Sequence, residues 1–419
     1  MMNIPDEYKV ENLFLLVGEN PLPNYVAART LLKEGGTVYL VFTNQTINQK
    51  DCLNDRLSCL NDKLNREIIC EELDLANDES NACEIRDIIQ DTIKSIKTES
   101  VGLNYTGGTK AMAVHAYRAM KEFKPNAVFS YLDPRRLKMF IDRENNQPRC
   151  CDVPLELSLE ELFKLHNNNY WLENKPPVSQ PCLPEVAAKF AEFYADKQLA
   201  KYWREWCDEK LRPSTRNEKN KWKKQSQLEE VSISLNDLPH KIKDILCLEF
   251  DASSEEFSLN NAQKKGFNKC EEVCKWLDGI WLENYVLHQV KEIQDQADIK
   301  ECGMSFLIRD PKNPKKDRFE FDVALIKGYQ LFAISCTTTS IKGLCKQKLF
   351  EAHLRARQLG GDEARVALVC CSDEPEEIRE DMRFAINDRK IKVFGRNDLV
   401  GLANKMKIWI DEVKLETKQ

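Results

Sequence analysis

The sequence predicts an α/β fold with an N-terminal α/β domain, a mostly helical middle region and a second α/β domain at the C-terminus. Three observations support this prediction. Short apolar segments alternate with amphipathic helical segments as far as residue 142. Prolines and long stretches of helical periodicity replace that alternation after about residue 148. A helical segment, three closely spaced apolar segments and another helical segment then follow. We therefore expect domains at residues 1–148, 149–270 and 271–419.

In the N-terminal third, apolar runs predict buried strands, and the segments between them predict helices. This alternation is typical of a parallel sheet with helices on both faces, a Rossmann-like arrangement. The predicted strands are Asn12–Gly18, Thr37–Thr43, Glu99–Tyr105, Ala127–Leu132 and Lys138–Asp142, and the predicted helices are Asn24–Lys33, Cys83–Lys97 and Ala111–Phe123.

Helical periodicity dominates the middle region and returns around the last group of strands. Ser158 and Glu161 have the spacing of a capping box, which predicts a helix over Ser158–Leu165. A Gly-Gly pair at residues 360–361 predicts the end of another helix. The further predicted helices are Ala187–Leu211, Trp276–Ile293 and Gly343–Leu359, and the further strands are Cys302–Arg309, Arg318–Lys327, Tyr329–Cys336, Arg365–Cys371 and Lys392–Phe394.

The composition is that of a globular protein with no membrane segment. Hydrophobic residues make up 42% and charged residues 31% of the chain. No apolar run approaches the roughly 18 residues that span a bilayer. The 16 cysteines are scattered, with only five histidines, which favours buried thiols in a reducing, cytoplasmic compartment over a metal cluster or disulfides. The net charge of −6 argues against a general nucleic-acid coat and still allows a local basic groove.

The clearest motif is Thr106-Gly107-Gly108-Thr109-Lys110, which lies between a predicted strand and a predicted helix. Glycines let the backbone approach a ligand closely, and free amides at a helix N-terminus carry partial positive charge. The threonines add hydroxyl groups and the lysine adds a full charge. Neither a Walker spacing nor a dinucleotide fingerprint is present. The loop is therefore predicted to bind an anion such as a phosphate, although a Gly-rich turn with capping threonines is the alternative.

A second polar loop, Gly18-Glu19-Asn20-Pro21-Leu22-Pro23-Asn24, follows the first predicted strand. The carboxyl ends of the strands form the ligand crevice in an open α/β sheet. Both loops belong to that edge, so we expect them to converge.

Together, these two loops resemble those of CARF domains, the CRISPR-associated Rossmann folds, over roughly residues 10–145. In that family the corresponding positions bind a cyclic oligoadenylate across the twofold axis of a homodimer. The resemblance implies that Gly107, Gly108, Thr109 and Lys110, with Thr106, contact the ligand backbone. It also implies that Glu19, Asn20 and Asn24 line the adenosine pockets.

The C-terminal third contains carboxylates in an order that suits metal-dependent phosphodiester hydrolysis. Glu283 lies on a predicted helix, Asp322 lies in a predicted strand, and residues 334–337 end the next strand. Carboxylates at such positions can hold Mg²⁺ or Mn²⁺. This order resembles the PD-(D/E)xK domain, a restriction-endonuclease-like α/β fold, of the dimeric CARF-nuclease effectors.

The strand end departs from the family pattern, because Ser335 and Thr337 replace the usual Glu-x-Lys. One interpretation is that the lysine has migrated to the next helix, where Lys346 and Lys348 would lie near the attacking water. Glu283 and Asp322 would then hold the metal with the carbonyl group of Cys336. The other interpretation is that the site is inactive. Arg355, Arg357 and Arg365 could add a positive track for a phosphate backbone or could be ordinary surface ion pairs.

The resemblance implies a homodimeric effector of type III CRISPR defence. A cyclic oligoadenylate, with cyclic tetra-adenylate as the expected ring, would activate it to cut DNA or RNA with Mn²⁺ or Mg²⁺. Two alternatives remain open at the level of sequence. One is a catalytically inactive sensor that acts through a partner or through nucleic-acid binding. The other is a ring nuclease that degrades its own ligand.

Overall fold

The computed structural model describes residues 4–64, 68–133, 136–142, 149–167, 176–309, 317–388 and 390–416. Two sheets organise the chain, one in each terminal third, and a helical region with a two-stranded ribbon lies between them in sequence.

The N-terminal sheet has seven strands in the order β3-β2-β1-β4-β5-β6-β7. Strands β1 to β5 are parallel to one another, and β6 and β7 are antiparallel additions at the edge next to β5. The Rossmann-like prediction is thus confirmed. The strands are β1 Val10–Leu16, β2 Leu32–Phe42, β3 Ile69–Asp74, β4 Val101–Asn104, β5 Val128–Asp133, β6 Lys138–Asp142 and β7 Arg149–Asp152.

Side-chain caps fix where several N-terminal helices begin. The Asn81 side chain accepts hydrogen bonds from the amides of Cys83 and Glu84. The predicted capping box is confirmed, since the Ser158 hydroxyl accepts from the Glu161 amide at 3.1 Å and the Glu161 carboxylate accepts from the Ser158 amide at 3.0 Å. The helices are α1 Leu22–Leu31, α2 Ile47–Leu64, α3 Ala82–Ser95, α4 Lys110–Phe123 and α5 Leu159–His166.

The N-terminal sheet includes strands that the sequence did not predict. Strand β3 has the sequence ICEELD and is largely exposed at the sheet edge, so it lacks an apolar signal. Strand β7 pairs with β6 and extends the sheet to Asp152, beyond the predicted domain boundary at residue 148.

The middle region is helical, as predicted, but its longest predicted helix is divided. The Asp196 side chain accepts from the amides of Gln198 and Leu199 and starts a new helix, so Ala187–Leu211 is not continuous. The helices are α6 Pro184–Tyr194, α7 Lys197–Trp206, α8 Arg212–Thr215, α9 Gln225–Leu228, α10 His240–Phe250, α11 Leu259–Gln263 and α12 Cys270–Lys275, and the ribbon pairs β8 Ser232–Ser234 with β9 Glu256–Ser258.

The C-terminal sheet has five strands in the order β10-β11-β12-β13-β14. Its first three strands form an antiparallel meander, and β12, β13 and β14 are parallel. The elements are α13 Trp281–Glu292, β10 Glu301–Arg309, β11 Asp317–Lys327, β12 Gln330–Thr337, α14 Lys342–Gly360, β13 Arg365–Cys370, α15 Pro375–Ile386, β14 Ile391–Phe394 and α16 Leu402–Glu416.

Helix α5 joins the two sheet domains. The Leu159 amide donates to the Glu301 carboxylate at 2.9 Å, and the nearby Leu157 amide donates to the carbonyl group of Gly328 at 2.9 Å. Phe163 of α5 stacks on Phe321 of the C-terminal sheet, and one apolar core runs through both domains. In the part of the chain that the structure describes, no helix is long and apolar enough to cross a membrane.

Candidate functional site

A cleft of about 950 Å³ opens at the carboxyl edge of the N-terminal sheet. The loops after β1, β2 and β4 form one wall, and the end of α14 with the segment after it forms another. Both predicted polar loops reach this cleft, which confirms that they converge. Its lining residues are Val17, Gly18, Glu19, Asn20, Pro23, Thr43, Gln45, Thr46, Gln49, Glu79, Thr106, Gly107, Gly108, Thr109, Met112, Tyr131, His166, Leu354, Arg357, Gln358, Gly361, Asp362 and Glu363.

Glycines let the loops after β1 and β4 touch. A Cβ atom on Gly107 would lie 2.2 Å from the carbonyl oxygen of Leu16, and one on Gly18 would lie 2.9 Å from the amide nitrogen of Gly108. Gly108 also has a φ of +72°, which side chains disfavour. Because β1 and β4 are adjacent and parallel, their following loops meet at one edge, and only glycine fits between the two backbones.

The threonines of the Gly-rich loop are engaged within the protein. The Thr106 hydroxyl accepts from the Leu132 amide at 2.7 Å. The Thr109 hydroxyl donates to the carbonyl group of Glu79 at 2.8 Å and accepts from the Met112 amide at 3.1 Å, capping α4. Within the described residues, the Gly107 and Gly108 amides donate to no acceptor. The threonines therefore shape the loop, and the glycine amides are the groups available to an anion.

Two predicted ligand residues do not face the cleft. Lys110 is exposed at the start of α4, outside the cleft lining. Asn24 is fully buried behind the loop, where its side-chain amide donates to the carbonyl oxygen of Leu16 at 2.9 Å. The Asn24 side chain supports the β1 loop instead of lining an adenosine pocket. Glu19 and Asn20 line the cleft, and their predicted role in adenosine pockets stays a prediction.

Asn20 connects the two domains across the cleft. Its side-chain nitrogen donates to Glu363 Oε2 at 2.8 Å, and its side-chain oxygen accepts from the Leu22 amide at 3.1 Å. His166 Nε2 lies 3.1 Å from the same oxygen. Burial raises the pKa of Glu363 to about 7, opposed by the Asn20 hydrogen bond, and burial lowers the pKa of His166 to about 4. A polar cluster thus ties the β1 loop to the C-terminal domain.

Most of the far wall of the cleft could not be predicted from the sequence. Arg357, Gln358 and Glu363 reach it from a segment more than 330 residues after Asn20. Tyr131, at the end of β5, also reaches the cleft, and its ring centroid lies 5.8 Å from that of Tyr105. No local signal marks these residues, because their shared position depends on how the domains pack.

A second cavity of about 190 Å³ lies against the C-terminal sheet. Asp322 of β11 is held there by two donors on β12, since the Ser335 hydroxyl donates to Asp322 Oδ2 at 3.0 Å and the Cys336 amide donates to the same oxygen at 2.6 Å. The cavity is lined by Glu320, Phe321, Asp322, Ile334, Ser335, Lys348, Glu351, Ala352 and Arg355.

Charged groups accumulate around Asp322. Burial raises the pKa of Asp322, while the Cys336 amide and Lys348 oppose that rise. Burial also raises the pKa of Glu283 well above its ordinary value, and the charge of Asp322 raises it further. Lys348 opposes the rise at Glu283 as well. The structure therefore brings Glu283, Asp322 and Lys348 into one electrostatic cluster.

Other predicted catalytic residues point elsewhere. Lys346 is two residues from Lys348, which turns its side chain about 200° around the helix. Its ammonium group pairs with Asp381 of α15 at 2.6 Å, so the structure does not bring Lys346 to the cavity. The Thr337 hydroxyl accepts from the Thr339 amide at 3.4 Å and does not line the cavity. The Cys336 thiol is buried and burial raises its pKa, so only its backbone can serve the site.

The donor set around Asp322 fits a hard divalent cation in part. Mg²⁺ commonly uses one or two carboxylates and takes its remaining ligands from water and substrate phosphate. Glu283 and Asp322 supply two carboxylates whose close placement disfavours a double negative charge without a cation. Among the described residues, no group of three or more His, Cys, Asp or Glu side chains is arranged to hold a metal ion.

The three arginines of the predicted positive track are divided among different surroundings. Arg355 lines the smaller cavity and stacks over Phe319, with 4.6 Å between its guanidinium carbon and the ring centroid. Arg357 lines the larger cleft, and Arg365 is buried. They do not form one track.

Comparisons with known proteins agree with a two-domain architecture. Residues 13–161 match the Card1 CARF domain, and residues 270–413 match the Card1-like endonuclease domain. Protein VC1899 from Vibrio cholerae is 17% identical and superposes with a TM-score of 0.65 over 96% of this chain and 98% of that chain. Can2 from Sulfobacillus thermosulfidooxidans, in complex with cyclic tetra-adenylate, is 15% identical, with a TM-score of 0.67 over 95% and 99%. At these identities the likeness establishes a shared fold. No curated protein sequence matches the chain.

Proposed function

Because the chain belongs to the CARF–nuclease effectors of type III CRISPR systems, we propose that it is a metal-dependent nuclease activated by a cyclic oligoadenylate. The observation that carries the proposal is the presence of two separate sites in one chain. One offers backbone amides in a wide cleft, and the other collects carboxylates and a lysine in a small cavity.

The wide cleft suits a ring of nucleotides. The Gly107 and Gly108 amides, at the N-terminus of α4, can bind phosphate oxygens. Tyr131 offers an aromatic face on which an adenine can stack. With a volume of about 950 Å³, the cleft has room for more than one nucleotide unit. Cyclic tetra-adenylate is the proposed activator, by analogy with the ligand of Can2.

We propose that the active form is a homodimer. A ring of repeated nucleotides presents equivalent faces, and two copies of the same loop around a twofold axis can bind two such faces. A ligand that binds across this axis favours whichever relative arrangement of the two chains it fits best.

The small cavity around Asp322, called the nuclease cavity from here on, offers groups that suit phosphodiester hydrolysis. Glu283 and Asp322 would hold the divalent cation, with the Cys336 carbonyl group as a further ligand. When bound, such a cation supplies charge neutralisation at the scissile phosphate and lowers the pKa of the attacking water. Ser335 orients Asp322 through its hydroxyl group. Lys348 offers the positive charge that the lysine of the Glu-x-Lys motif supplies in the family pattern. It can stabilise the negative charge that develops on the phosphate oxygens.

The test is cleavage of plasmid DNA, single-stranded DNA and single-stranded RNA with Mn²⁺ or Mg²⁺, with and without cyclic tri-, tetra- and hexa-adenylate. We expect cutting only with both metal and one ring. Asp322→Asn should reduce the rate of cutting by a factor on the order of 1,000. That loss is larger than the ~10- to 100-fold loss that follows when a residue supporting a metal ligand is replaced. The increase in unfolding temperature caused by the cyclic oligoadenylate should not change. Asp322 does not line the wide cleft at the edge of the N-terminal sheet, which is called the messenger cleft from here on.

Three outcomes decide between the candidate functions. Wild-type protein that binds a ring but cuts none of the substrates with either metal would exclude the nuclease and leave the inactive sensor. Failure to bind any ring would exclude the sensor as well. Chromatography of the messenger after hours of incubation would reveal degradation of the ring, the third alternative.

A further inference from the structure

The charge of the messenger cleft does not match its proposed ligand. Cyclic oligoadenylate carries one negative charge per phosphate, yet the acidic side chains lining the cleft outnumber the basic ones. Among the described lining residues Arg357 is the only lysine or arginine, and it comes from the C-terminal domain. The N-terminal lysine that was expected to meet the phosphates, Lys110, is outside the lining. The acidic side chains in the lining are Glu19, Glu79, Asp362 and Glu363.

Arg357 already has a partner that an anion can replace. Its guanidinium group pairs with the Asp362 carboxylate, and the two side chains are 46% and 56% exposed. Exposed ion pairs contribute little to stability, whereas a guanidinium group can bind a phosphate through two parallel hydrogen bonds. The Asp362 backbone is held separately, because the Lys390 ammonium donates to its carbonyl group. Loss of the Asp362 side-chain contact therefore leaves the segment anchored.

We propose that Arg357 of the nuclease domain binds a phosphate of the cyclic oligoadenylate and exchanges Asp362 for it. The messenger site is then completed by the domain that it regulates. This inference rests on the proposed function of the cleft, and it adds a ligand-binding residue that lies outside the matched CARF segment, residues 13–161.

The same helix reaches the nuclease cavity. Lys348, Glu351 and Arg355 of α14 line that cavity, and Leu354, Arg357 and Gln358 of α14 line the messenger cleft. Nine residues separate Lys348 from Arg357, a rise of roughly 14 Å along the helix. A phosphate drawn to Arg357 consequently acts on the rigid element that carries Lys348, without an intervening loop.

The test is a double-mutant cycle on the full chain, with cyclic tetra-adenylate binding measured by calorimetry in the presence of a metal chelator. Arg357→Ala should weaken binding about tenfold. Asp362→Asn should tighten binding severalfold, because Arg357 loses its competing carboxylate. The double variant should bind like Arg357→Ala. The control is Arg86→Ala, which removes an exposed ion-paired arginine of α3 that does not line the cleft.

A variant that misfolds would not bind more tightly, so the tighter binding expected for Asp362→Asn cannot arise from misfolding. It therefore supports the inference even if Arg357→Ala loses affinity because it folds poorly. Equal affinities of wild-type protein and Arg357→Ala would overturn the inference. So would a tightening by Asp362→Asn that persists without Arg357, since that result would reflect only the overall charge of the cleft. If wild-type protein itself binds no cyclic oligoadenylate, the proposed function fails and not this inference alone.

Discussion

The two candidate sites use different parts of the chain to handle phosphate. The messenger cleft relies on backbone amides held by one continuous loop, with glycines at positions where a Cβ atom would meet another backbone. The nuclease cavity relies on side chains from α13, β11, β12 and α14, which meet only after the C-terminal domain folds. The first site therefore contains a continuous sequence motif, whereas the residues of the second site are spread over four secondary-structure elements.

In each site, the structure brings some of the predicted residues to the cavity and leaves others outside it. In the Gly-rich loop, Gly107 and Gly108 allow close contact with the β1 loop and line the cleft, whereas Lys110 and Asn24 do not line it. In the nuclease domain, the lysine has several candidates on one helix, and helical rotation decides among them. Lys348 faces the carboxylates, while Lys346 pairs with Asp381.

The largest effect should distinguish these two lysines. Lys348→Ala should lower the rate of messenger-activated cleavage about 100-fold, because it removes the positive charge beside Asp322. Lys346→Ala should change the rate less than about twofold, since it removes only a surface ion pair. Initial cleavage rates at saturating messenger measure both. Equal losses in the two variants would mean that the lysine acts through helix stability or general charge.

A smaller effect should show whether messenger binding requires the close approach of the Gly-rich loop to Leu16. Gly107→Ala should weaken messenger binding about tenfold or more, because the added Cβ atom must push the Gly-rich loop away from Leu16. Gly343→Ala is the matched control, since a Cβ atom there meets nothing within 4 Å. Calorimetric titration of both variants with cyclic tetra-adenylate gives the comparison. Unchanged affinity in Gly107→Ala would show that the close approach of the loops is not needed for binding.

The last effect is on stability and not on activity: it concerns the contact between the domains and depends on pH. Burial raises the pKa of Glu363 from 4.5 to about 7, so the folded state binds this proton more tightly than the unfolded chain does. The associated stability is fully present below pH 4.5 and is lost as the pH rises through about 7. Removing the ionisable group in Glu363→Gln should stabilise the protein relative to wild type by up to roughly 3 kcal/mol at high pH.

Thermal unfolding at several values between pH 5 and pH 8 measures this difference. The midpoint of Glu363→Gln should rise relative to wild type across that interval, and the exposed-glutamate control Glu255→Gln should follow wild type. A constant offset at every pH would mean that the Glu363 proton does not contribute to the coupling between the domains.

Much of the fold could be predicted from periodicity. Apart from β3, the parallel strands of the N-terminal sheet contain apolar runs, and the meander of the C-terminal sheet gives three strand-like segments in close succession. Strand β3 could not be predicted this way, because an edge strand is exposed and needs no apolar side chains. The break at Asp196 was also missed, since the residue caps a new helix inside an otherwise helical stretch.

By itself, the sequence predicted the order of the domains, the Gly-rich loop proposed to bind an anion and the two carboxylates proposed to hold a metal ion. These features depend on neighbouring residues and on the repeat of each secondary structure. Only the tertiary structure decided that Asn24 is buried, that Lys348 rather than Lys346 faces Asp322, and that Arg357 and Glu363 close the messenger cleft. Those assignments depend on which side of a helix packs inward and on contacts between residues far apart in the chain, and local sequence carries neither kind of information.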